Sequence, residues 1–207
     1  MSTSFEVYPS TTAIPSFAQV LSLAEKYLQN TLERYNIHCV LFKPDFCIMK
    51  NVDHTKVPCI ISKPARWNKD EYAWFTIGDK AVGCDVSFGV IDELAIECWN
   101  DIFQQNKKAE KFESEIRKCL DTGIHWSFRR SIGQPEIINL YYGLLAASFA
   151  SLTDGFIYSD DSAWEYALFP AKADEFLQSY FNPQCNDKNY GTWAKECLNR
   201  IREELRN

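Results

Sequence analysis

Between Ile137 and Thr153 the chain carries no charged residue, and large apolar side chains recur at Ile137, Tyr141, Leu144, Leu145, Phe149 and Leu152. Steps of three and four are the helical period, so this segment predicts a buried helix. Pro135 suits the first turn, where a missing N–H leaves nothing unpaired, and Gly155 can take the left-handed conformation that stops a helix. A short apolar strand, Phe156 to Tyr158, follows, and an acidic turn, Ser159 to Ser162, then leads into Trp164.

The same reading places the other elements. Phe5 to Tyr8 predicts an opening strand, and Ser16 with Gln19 forms a capping box that starts a helix running to about Tyr35. The core face of that helix is Phe17, Val20, Leu21, Ala24, Leu28, Leu32 and Tyr35. Runs rich in β-branched and aromatic residues at 37–42, 46–49 and 57–61 read as strands. Tyr72 to Ile77 and Ala81 to Phe88 flank Gly78-Asp79-Lys80 as the arms of a hairpin. On its second arm Val82, Cys84, Val86 and Phe88 take one side, and Gly83, Asp85 and Ser87 the other.

From Asp92 to Leu120 the period turns helical, with Leu94, Ile96, Trp99, Ile102 and Phe103 as the first apolar face and Lys107 to Lys111 as a break or bend. A strand at 124–130, a short helix carrying Phe176 and Tyr180 that stops at Asn182-Pro183, and a last helix with Trp193, Cys197, Ile201 and Leu205 on one stripe complete the chain. Strands grouped early, with helices before and after them, predict an α+β fold: an antiparallel sheet of about five to seven strands with helices packed mainly on one face.

Length changes the picture little: 207 residues without a Pro/Gly/Ser-rich linker or a repeat predict one domain spanning 1–207. Charge changes it more. A net charge of -6 and a pI near 5.2 weigh against nucleic acid or an anionic membrane as partner and suit a basic protein. The first residues lack a secretory pattern and no apolar run is long enough to span a bilayer, so the expected compartment is the cytoplasm. The eight cysteines are scattered without a C-x-x-C pair and read as small hydrophobes of a reducing compartment.

Candidate chemistry is sparse. His38, His54 and His125 lack a second histidine at ligand spacing, and no glycine-rich phosphate loop or G-x-S-x-G occurs, so no cofactor or metal is expected. Asp160, Asp161 and Glu165 form the densest acidic group, open to two readings: a Mg²⁺ or acid–base site, or a turn in which Asp161 or Ser162 caps a following helix. Arg129 and Arg130, near Trp126, read either as a carboxylate-binding or cation–π patch or as internal partners of Asp154 or Asp160. Lys107, Lys108 and Lys111 read as a solvated helix face.

The stretch WSFRRSIGQPEIINLYYGLLAASFASLTDGFIYSDDSAW resembles the core segment of cytoplasmic immunity proteins from bacterial toxin–immunity systems, in which L-A-x-L-T-x-G ends a helix before an acidic strand-turn. Here the motif is Phe149 to Gly155, departing from that pattern at Phe149 and Ser151, and the resemblance is confined to residues 126–164. It implies a non-catalytic protein that binds and neutralises a cognate toxin. The residues themselves single out Asp160, Asp161 and Glu165 as partner contacts, with Trp164 as an aromatic anchor or a core residue. The alternatives are an enzyme with a scattered, metal-dependent acidic site and a structural or adaptor subunit.

Overall fold

A computed structural model describes residues 3–38, 43–78, 82–161, 168–185 and 188–206. The strands are β1 (Thr3–Tyr8), β2 (Pro44–Lys50), β3 (Lys56–Val57), β4 (Glu71–Ile77), β5 (Gly83–Val90), β6 (Ile124–Arg130) and β7 (Phe156–Tyr158). The helices are α1 (Phe17–Arg34), α2 (Glu93–Gln105), α3 (Lys107–Lys111), α4 (Glu113–Leu120), α5 (Glu136–Leu152), α6 (Ala173–Ser179) and α7 (Lys188–Glu204). All seven strands join one antiparallel sheet in the order β3-β2-β4-β5-β6-β1-β7, so the chain has the α+β fold expected from its pattern.

Register decides what each face carries, because successive side chains of a strand point to opposite sides. Phe5, Phe128, Val86, Ala73 and Ile48 stand in one row across the sheet, and all are buried. Helix α5 covers this face. Its Phe149 ring lies 4.9 Å from Trp126, 5.2 Å from Phe128 and 6.3 Å from Phe75, and Tyr142 stacks on Phe5 at 4.9 Å. Helix α1 lies beside α5, with Phe17 stacked on Phe46 at 4.0 Å, while α6 brings Phe176 and Tyr180 to Phe5. One hydrophobic cluster runs from Phe5 to Ile201.

The termini of the helices follow from local chemistry. Ser16 caps α1 in the expected box, its oxygen accepting from Gln19 N while its own backbone N–H donates to Gln19 Oε1 at 2.9 Å. Every residue of α5 from Ile137 to Ala150 is buried, as a helix apolar on all sides requires. Pro135 has no side chain to cap it, and Glu204 of α7 does so instead: its two oxygens accept from Glu136 N at 2.8 Å and Ile137 N at 3.2 Å. Arg200 adds an ion pair to Glu136 at 2.9 Å.

Tyr8, Phe156 and Tyr158 point to the second face and are covered by α2 to α4. The Trp99 ring sits 5.3 Å from Tyr8 and 4.8 Å from Tyr158, and Phe112 sits 5.7 Å from Phe156. The helices therefore lie on both sides, with α2 to α4 over only the β1/β7 end of the second.

Several expectations need correcting. The left-handed residue after α5 is Asp154 (φ 47°), not Gly155; a Cβ on Gly155 would meet the Tyr8 carbonyl oxygen at 2.4 Å, so close approach is what demands glycine there. Ile37 and His38 are not in a strand, and 39–42 lie outside the described residues. Of the third run only Val57 enters a strand, the two-residue β3, and Ile60 and Ile61 are exposed. Residues 107–111 are a helix in their own right, capped by Asn106, and Lys108 is not solvated: it binds the Leu168 carbonyl and Glu175.

Candidate functional site

The acidic turn leaves the sheet directly after Tyr158. Asp160 is exposed and Asp161 half-buried. Ser159 fixes the turn, its hydroxyl donating to the Ser4 carbonyl at 2.8 Å and accepting from Asp161 N at 3.2 Å. Trp164 and Glu165 lie outside the described residues, as does the segment that Asp161 or Ser162 would cap. Because Tyr158 packs on Trp99, the turn emerges beside α2.

Helix α2 has a face the apolar pattern misassigned. Trp99 and Phe103 are buried, yet Leu94 is 67% and Ile96 41% exposed. At 3.6 residues per turn Leu94 stands about 140° around the axis from Trp99, so one helix cannot bury both against a single surface. Leu94 and Ile96, two positions apart, stand about 160° from each other, so only Leu94 faces outward, with exposed Glu97 and Asp101 within about 60° of it. The outward side of α2 thus carries one exposed apolar residue, Leu94, beside two carboxylates.

Among the described residues no helix covers the rest of the second sheet face, which the sequence did not single out as a site. Cys47, Trp74, Asp85, Arg129 and Ser4 form one row across β2, β4, β5, β6 and β1. Beside Arg129 and Asp85 a cleft of about 560 Å³ opens, rimmed by Tyr72, His54 and Ser127. Asp85 accepts from Arg129 Nε at 3.0 Å, which corrects the expected pairing of this arginine with Asp154 or Asp160; Asp154 instead pairs with Lys172 at 3.2 Å. A Trp126–Arg129 patch is also ruled out, since Trp126 is buried on the α5 face and donates to the Ala65 carbonyl.

Burial pushes the Asp85 carboxyl above its ordinary pKa, against the lowering effect of Arg129 and of its own backbone amide. Tyr72 and His54 share a hydrogen bond of 3.0 Å across the rim. Gly83 makes room for Trp74: a Cβ there would meet Cε2 of the indole at 3.1 Å, and the Phe75 carbonyl oxygen at 2.2 Å.

Elsewhere the chemistry is quiet. Among the described residues no group of three His, Cys, Asp or Glu is placed to hold a metal ion. Cys119 and Cys197 are buried, and burial pushes their thiols up to about 11 and about 12, so they serve as packing. No described helix is long and apolar enough to cross a membrane. No family model, characterised protein sequence or solved structure matches the chain.

Proposed function

We propose that the protein is a non-catalytic cytoplasmic binding protein, an immunity protein that occludes a basic toxin domain with the acidic edge formed by the turn at Asp160–Asp161 and the outward face of α2. The observation that carries this reading is Leu94 left in water beside Glu97 and Asp101 on the outward side of α2. An apolar centre with a charged rim is the anatomy of an interface, and a negative rim speeds encounter with a positive partner. The resemblance at residues 126–164 supplies the partner's class, and Trp164 and Glu165 extend the acidic turn in sequence.

The test is co-expression with the product of the neighbouring gene. The expected result is a complex that survives purification, cells protected from that product, and loss of both with Glu97→Lys combined with Asp101→Lys at unchanged melting temperature. Absence of complex and of protection sinks the reading, and so does turnover of a small molecule by the pure protein.

A further inference from the structure

The open cleft is a second site, independent of the acidic edge. Its polar groups are arranged but unspent. Among the described residues Arg129 gives only Nε to Asp85, so both terminal nitrogens are free to donate. Asp85 has no other side-chain partner, and the hydroxyls of Ser87 and Ser127 and the indole N–H of Trp74 have none. Groups exposed like these are hydrogen-bonded by water, and a ligand's hydroxyls can take that water's place.

The balance of charge selects the ligand's class. The lining holds one guanidinium, Arg129, and one carboxylate, Asp85, already paired, so this pair gives an anion or a cation little advantage. A fixed carboxylate beside a fixed guanidinium instead offers an acceptor and a fork of donors about one side-chain width apart, which matches neighbouring hydroxyls that both donate and accept. Trp74, in the same row as this pair, adds an apolar surface with a polar edge. A cleft of about 560 Å³ lies within the usual range for small-ligand sites.

We infer that this cleft binds a neutral saccharide, free or at the end of a glycan, whose ring rests a C–H face on Trp74 while adjacent hydroxyls donate to Asp85 and accept from Arg129. Ser87 and Ser127 line the cleft and take further hydroxyls. Binding is non-covalent and requires no change in the sheet.

The experiment uses the full chain with an immobilised panel of neutral glycans, followed by saturation-transfer NMR and titration with the glycans that register. Inorganic phosphate and glucuronate serve as anionic probes. At least one neutral glycan is expected to bind, with transfer strongest to the protons of one ring face. Trp74→Ala and Arg129→Ala are each expected to weaken that binding by about tenfold or more. Ser87→Trp, which fills the cleft from an exposed position, is expected to abolish binding with an unchanged melting temperature, so lost affinity is separable from lost folding. The inference is overturned by a panel on which no neutral glycan binds, by phosphate or glucuronate binding in preference, or by affinity that ignores all three substitutions. Since none of these residues belongs to α2 or the acidic turn, toxin binding and glycan binding fail separately.

Discussion

On one face of the sheet Phe5, Phe75, Trp126 and Phe128 are sealed beneath α1 and α5; on the other, one residue away along the same strands, Trp74, Asp85, Ser87 and Arg129 border an open cleft. The two faces share a backbone and every ladder hydrogen bond, yet only the first is closed by aromatic contacts to a buried helix. Stability is concentrated on the side where large rings interlock, because buried apolar area carries most of the favourable free energy. That leaves the opposite side free to carry unpaired polar groups without endangering the fold.

Three substitutions would break or sharpen this contrast. Phe149→Ala, at the junction of α5 with Phe75, Trp126 and Phe128, is expected to destabilise the protein by about 3–5 kcal/mol in urea unfolding, the range for a large core truncation. A loss far below that would mean that the sealed face is not where stability resides. Tyr141→Phe works in the other direction. The Tyr141 hydroxyl is buried with no hydrogen-bond partner among the described residues, so removing it is expected to stabilise by about 1 kcal/mol, with a higher urea midpoint and an unchanged slope.

The smallest effect belongs to the open face. Asp85 has a raised pKa chiefly through burial, so the folded state holds its proton more tightly than the unfolded chain does. Its favourable contribution is complete below the ordinary carboxylate pKa, is lost as pH climbs through the raised folded value, and is constant above that. Asp85→Asn is expected to remove this step from the melting temperature measured against pH. At pH 7 it should cost no more than about 1 kcal/mol, the worth of a partly exposed ion pair. A larger loss at neutral pH would show the Asp85–Arg129 pair to be structural rather than poised for a ligand.

Much of the closed face was legible in the sequence. The uncharged run, the Ser16–Gln19 box and the strand Phe156–Tyr158 are local signals, set by spacing and by capping chemistry, and local signals survive folding. The alternation in 82–88 even separated Asp85 and Ser87 from the core residues. What it lacked was register. Asp85 meets Arg129 only because β5 pairs with β6 at that alignment, 44 residues apart in sequence, and no period along the chain encodes such a pairing. Leu94 was misread for a related reason: an apolar residue on a helix signals burial only if another element lies on its side, and α2 has the sheet on one side alone. Of the predicted partner contacts, Asp160 and Asp161 stand in the solvent-facing turn, whereas Trp164 and Glu165 fall outside the described residues.

The cap that Glu204 places on α5 has a consequence for biosynthesis. The first amides of the central helix find their acceptors only in a residue from the far end of α7, 67 and 68 positions later. A ribosome must therefore translate past Glu204 before that helix can be finished, and until then the nascent chain holds a greasy segment with a frayed start. Completion of the sealed face thus waits for α7, and until α7 docks the apolar segment is open to the misassociation that unfinished chains risk.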